Sequence, residues 1–90
     1  MADQLWRVEI TFTEADERTR ADAILELASQ RFHGFGQAKR APNDPNVPVI
    51  GQHLAAARAL SDLSHQLVHA AAERIETFEG RPVDLSGSVV

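Results

Sequence analysis

The sequence predicts a single α+β domain in the order strand, helix, strand, long helix: a small antiparallel sheet packed by two helices. Three observations carry this. From Leu5 to Thr13, Trp6, Val8, Ile10 and Phe12 alternate with Arg7, Glu9 and Thr11, the period-two pattern of a sheet covered on one side. From Phe32 to Ala41 a second period-two run places Gly34, Gly36 and Ala38 on one face and Phe35, Gln37 and Lys39 on the other. After Pro42, Pro45 and Pro48, an alanine-rich stripe of helical spacing begins and runs to Gly80.

The chain has 90 residues, which suits one domain with a thin core. Residues 1–80 read as the domain and residues 81–90, with Pro, Gly and Ser, as a flexible tail. There are no cysteines, which excludes disulfides and thiolate chemistry. No stretch reaches the ~18 apolar residues of a membrane span, and the N-terminus lacks signal-peptide character. A soluble cytoplasmic protein is expected.

Charge is unevenly spread. The formal net charge is −4 overall, yet residues 31–60 carry Arg31, Lys39, Arg40 and Arg58 against Asp44 alone. The outer thirds are acidic. A generic nucleic-acid binder is basic throughout. If this chain touches RNA, the middle third is where contact is expected.

Between the strands, Glu14 to Glu17 form an acidic turn. A helix is expected from about Asp16 or Arg18 to Gln30, because Ala21, Ile24, Leu25 and Ala28 give an i, i+3, i+4, i+7 stripe. Its expected job is to cover the apolar face of the first strand. Glycine weakens a strand, so Gly34 and Gly36 need a reason. The favoured one is close crossing by a helix, or a bend; the other is close approach of a ligand to the backbone. Gly34-Phe35-Gly36 does not make a phosphate loop, since no GxGxxG or GK[ST] completes it.

The proline stretch from Pro42 fixes an extended loop. The long helix is expected from about Ile50 to Thr77, with Leu54, Ala57, Leu60, Leu63, Leu67, Ala71, Ile75 and Phe78 as its apolar seam. At 1.5 Å per residue it would be about 42 Å long, more than a two-stranded sheet can cover. Two strands are marginal alone. A homodimer that extends the sheet and buries part of the seam is therefore expected.

Pro42, Asp44, Asn46-Val47-Pro48, Ile50-Gly51 and Leu54, followed by Ala57-Arg58-Ala59-Leu60-Ser61-Asp62-Leu63, resemble the signature of a family of small bacterial proteins of unknown function with a double-stranded-RNA-binding-domain-like fold. The opening WRVEITFTEADERTRADAIL and the glycine-rich strand also match, so the likeness spans roughly Leu5 to Phe78. Val49 stands where the pattern leads one to expect an acid. That family is similar in structure to ribosome hibernation promoting factors, which bind the small ribosomal subunit and idle it. The resemblance implies a ribosome or RNA partner.

Other chemistry is weakly signalled. His65 and His69 are i, i+4 with Glu73 continuing the row, but no HExxH or further ligand accompanies them, and the row reads as a solvated helix face. Ser61, Asp62 and His65 lie on one helix face, which does not give triad geometry. Asp62 is placed to pair with Arg58. Trp6 alternates inward, as core. The expected function is a non-enzymatic regulator that docks on the ribosome or structured RNA through Arg31, Lys39 and Arg40. The alternative is a protein-interaction module without a nucleic-acid partner. No cofactor, metal or small-molecule substrate is expected.

Overall fold

The computed structural model describes residues 3–41, 43 and 47–80. The proline loop's Pro42, Asp44, Pro45 and Asn46, and the expected tail at 81–90, lie outside the described residues. The element order is β1 (Val8–Ala15), β2 (Arg18–Glu26), β3 (Arg31–Lys39) and α1 (Pro48–Glu79). The strands form one antiparallel meander in the order β1-β2-β3.

The second element is thus a strand, which corrects the expected helix over residues 18–30, and α1 is the single helix among the described residues. The helical stripe of Ala21, Ile24, Leu25 and Ala28 coexists with a period-two pattern. Thr19, Ala21, Ala23 and Leu25 are buried, while Arg18, Arg20, Asp22, Ile24 and Glu26 alternate with them. Alanine and leucine favour helix intrinsically, but β2 is the central strand and both its neighbours supply hydrogen bonds, so tertiary pairing overrides propensity. Asp16-Glu17 make a two-residue turn between the paired Ala15 and Arg18. Asp16 holds a left-handed φ of 56°, which aspartate tolerates better than most residues.

α1 spans 32 residues, or about 48 Å, nearly the molecule's full 52 Å length. Pro48 sits at the start of the helix, where its missing N–H is harmless. Gly80 ends it at φ 70°, donating its N–H to the Glu76 carbonyl at 2.7 Å. The helix runs antiparallel to β3 and crosses it at close range. A Cβ added at Gly36 would lie 2.5 Å from the Ala55 carbonyl oxygen, and one at Gly34 would lie 2.5 Å from that of Ala59. The two glycines are there for helix crossing.

The core is made chiefly of small residues: Ala21, Ala23, Leu25, Ala38, Ala55, Ala59 and Leu63, with Leu25 the largest side chain fully buried. The helix seam facing the sheet runs through Gly51, Ala55, Ala59 and Leu63. Of the expected seam, Leu63 is buried, whereas Leu54, Ala57, Leu60, Ala71 and Phe78 are exposed. Size decides this. Over Gly36 the small Ala55 and Ala59 admit the close backbone approach, and Leu63 follows at Gly34.

Candidate nucleic-acid interface

Pairing and pleat give the sheet two unlike faces. One carries α1. The other is open, and the register sets Thr11, Asp22 and Phe35 in one row across it, with Thr13, Arg20 and Gln37 in the next and Glu9, Ile24 and His33 on the other side.

The centre of the open face is a cluster of four side chains. The Arg20 guanidinium lies 4.5 Å from the centroid of the Phe35 ring, a cation–π contact. Its Nε and Nη2 donate to the Asp22 carboxylate at 3.0–3.2 Å. His33 Nε2 lies 2.6 Å from Asp22 Oδ1. Asp22 thereby holds Arg20 on one side and His33 on the other. The hydrogen bonds from Arg20 first, then His33, hold its carboxyl below the ordinary 3.8. Arg20 is shifted upward, mainly by the same bond. Phe35 remains 48% exposed, so the arrangement presents an aromatic edge and a flat, oriented guanidinium to solvent.

The two ends of the open face differ. At one end Arg18 and Lys39 sit directly opposite each other, and neither makes an ion pair among the described residues. Like charges so placed destabilise a sheet. At the other end Arg31 pairs with Glu26 at 3.3 Å, and both line a shallow cleft with Leu5, Trp6, Arg7, Glu9 and Ile24. Trp6 precedes β1 and is 57% exposed, which corrects its assignment to the core. Strand alternation begins only at Val8, so the phase read across Leu5–Trp6 does not fix their direction.

Arg31 and Lys39 therefore share the open face but stand at opposite ends of β3, about 27 Å apart along the strand. Arg40 is separate. Its Nη2 lies 2.8 Å from Glu17 Oε1, and its backbone N–H donates to the Glu17 carbonyl at 2.9 Å, clamping the β1–β2 turn. The central Arg20–Phe35 contact was missed by sequence reading. The two residues are 15 positions apart, and only the β2–β3 register brings them together.

The signature around residues 51–63 has a structural account. Gly51 packs at Thr19, and Ala55, Ala59 and Leu63 ride on Gly36 and Gly34. Arg58 and Asp62 do not pair with each other as expected. Arg58 Nη1 donates to the Gln37 carbonyl at 2.6 Å, and Asp62 Oδ2 accepts the Phe35 N–H at 2.9 Å. Gln66 continues the row, donating to the His33 carbonyl at 2.7 Å. His69 contacts Glu73 at 3.0 Å, and no group of three or more potential ligands gathers among the described residues. No helix among them is long and apolar enough to cross a membrane.

Comparison with known proteins gives a consistent picture. A family model described as Rv2632c-like matches residues 4–84. Rv2632c of Mycobacterium tuberculosis, an uncharacterized protein, is 43% identical over 77 residues, covering 86% of this chain and 83% of its own. Mb1767 of Mycobacterium bovis, also uncharacterized, is 39% identical over 82 residues, covering 91% of this chain and 87% of its own. The crystal structure of Rv2632c matches with a TM-score of 0.82 at 39% identity, covering 91% of this chain and 98% of that one. None of these names states an activity, enzymatic or other. With the family model spanning most of its length and two relatives above a third identical, the chain belongs to the Rv2632c-like family.

Proposed function

We propose that the protein is a non-enzymatic regulator that docks on the ribosome or on structured RNA through the open face of its sheet. The observation that carries this reading is the Arg20–Phe35 pair, an exposed aromatic ring under an oriented guanidinium, flanked by Arg18 and Lys39 at one end and Arg31 and Trp6 at the other. Sheets that bind unpaired bases do so by stacking them on aromatic rings and guanidinium planes while cations follow the phosphates. The strands' open face carries four cations, Arg18, Arg20, Arg31 and Lys39, against Glu9, Asp22 and Glu26, in a chain whose net charge is −4. Screening over about 8 Å at physiological salt lets such a local balance act although the whole molecule is acidic. The sequence likeness to proteins with a dsRBD-like fold, and through them to ribosome hibernation promoting factors, supports the same class of partner.

A second reading, a protein-interaction module, is favoured by the exposed apolar residues of β1 and of the outer flank of α1. Co-sedimentation with ribosomes and with a fluorescent loop-containing RNA across a salt series separates the two. Binding that weakens with salt, and about tenfold on Phe35→Ala, is expected, since one stacked base contributes about 1–3 kcal/mol. Arg31→Ala with Lys39→Ala should flatten the salt dependence. Arg40→Ala, which loosens a turn away from this face, should change affinity less than about twofold. No binding at low salt, or binding indifferent to salt and to Phe35→Ala, would leave the protein-interaction reading in its place.

A further inference from the structure

The two edges of the sheet are treated differently. The outer edge of β3 is occupied by the helix's own side chains. Arg58, Asp62 and Gln66, spaced i, i+4, i+8, reach over it to Gln37 O, Phe35 N and His33 O. The four-residue helical repeat is matched to the two-residue strand repeat, so the capping row follows the edge. A strand cannot add there without displacing three hydrogen bonds. β1, the opposite edge, has no such cover among the described residues.

The alternation that turns His33, Phe35 and Gln37 outward dictates what β1 offers. In an antiparallel ladder successive residues bond to opposite sides. Ala21, Ala23 and Leu25 then bond to β3, and Arg20, Asp22 and Ile24 to their β1 partners Thr13, Thr11 and Glu9. The N–H and C=O groups of Val8, Ile10 and Phe12 point away from the sheet. These same residues stand beside the buried Leu25, Ala23 and Ala21 on the helix face. Because α1 packs on β3 and β2, Val8 and Phe12 are each 41% exposed and Ile10 is half-buried. An unpaired edge and an uncovered apolar strip thus coincide on one strand, the combination that invites another strand.

We infer that this edge docks β1 of a second copy of the chain, antiparallel, about a two-fold axis at Ile10. The occupant is identified by self-complementarity. Keeping both helices on one face requires even residues to pair with even ones. With Ile10 opposite Ile10 of the second copy, Val8 meets Phe12 and Phe12 meets Val8. On the open face Glu9 meets Thr11, and Arg7 meets Thr13. Every apolar residue of the strip meets an apolar one, and no like charges oppose each other. A shift of the axis to Thr11 sets Val8 against Glu14 and loses that match. The assembled sheet doubles from three strands to six. Both Arg20–Phe35 clusters then lie on one continuous face. This inference does not rest on the RNA reading: it concerns the edge and the helix face, not the open face.

The test is the molar mass of the full chain by light scattering across a concentration series, with two substitutions. The wild type should be a dimer. Phe12→Lys places a charge on the strip at an already exposed position and should weaken dimerisation about 100-fold or more while circular dichroism stays unchanged. Ile10→Cys, in a chain that has no other cysteine, should give a disulfide-linked dimer on mild oxidation, since directly opposite residues in this register are about 5.5 Å apart. Thr11→Cys should not cross-link. A wild type that stays monomeric up to millimolar concentration overturns the inference. So does a dimer indifferent to Phe12→Lys, or one that cross-links through Thr11→Cys and not Ile10→Cys. RNA binding measured alongside separates the two proposals: a monomer that binds RNA sinks only the dimer, and a dimer that ignores RNA sinks only the open-face reading.

Discussion

The two faces of β3 are made from opposite kinds of residue, yet they come from one nine-residue strand. On the helix side Gly34, Gly36 and Ala38 are buried under the backbone of α1. On the other side Arg31, His33, Phe35, Gln37 and Lys39 stand in solvent. Over residues 34–38 the first face is as small as side chains can be, and the second is long, charged and aromatic. The strand thus divides its labour by parity. Even positions determine how close the helix comes, and odd positions are free to be chosen for chemistry.

This division can be broken from the packed side with the largest effect. Gly36→Ala puts a Cβ about 2.5 Å from the Ala55 carbonyl and the Ala59 nitrogen, both backbone, so the helix itself must lift. Overpacking of this kind costs about 1–3 kcal/mol, to be read as a lower urea midpoint. Phe35→Ala, one residue away on the open face, gives up only the exposed contact with Arg20 and should cost about 1 kcal/mol or less, read from the same midpoint. If the two substitutions cost the same, the parity division is wrong.

A smaller effect sharpens the comparison at the edge. Asp62→Ala removes the acceptor of the Phe35 N–H and frees one position of the capped edge. A loss of about 1 kcal/mol is expected, together with faster amide exchange at Phe35, measured by NMR. Unchanged exchange there would mean that α1 does not protect the edge.

The smallest effect concerns the open face alone. Arg20 and then His33 hold the Asp22 carboxyl below its ordinary value of 3.8. A depressed carboxyl contributes stability that is fully present above the ordinary value and is lost as pH falls through its folded value. The stability difference between wild type and Asp22→Asn should therefore shrink as pH falls below about 4. Urea midpoints at several pH values check this. A difference that grows on acidification would show that Asp22 is not held by Arg20 and His33.

Much of the fold was legible in order, and its errors are instructive. β1, β3 and α1 follow from alternation, from the glycine–alanine phase of residues 34–38, and from the Pro48 and Gly80 helix ends. β2 was misread because Ala21, Ile24, Leu25 and Ala28 satisfy a helical stripe while Ala21, Ala23 and Leu25 satisfy a strand, and the residues alone do not arbitrate. The long helix was found but its buried side was misjudged. Leu54, Leu60 and Phe78 are more apolar than Ala55 and Ala59, yet the glycines opposite select for small size. Within the candidate site, Arg31 and Lys39 were visible as charge in an acidic chain. Arg20 was assigned to a helix, so its place over Phe35 was not.

Local rules are written into the chain directly: where prolines exclude regular structure, where glycine ends a helix, which residues alternate, and where positive charge collects. Those depend on backbone sterics and on neighbours along the chain. It took long-range packing to settle that residues 18–26 join a sheet, that Ala55 and Ala59 rather than Leu54 and Leu60 face it, that Arg20 covers Phe35, and that one edge is capped while the other is bare. Each of these depends on register and approach distance between segments far apart in sequence, and a shift of one residue in either would give a different set of contacts.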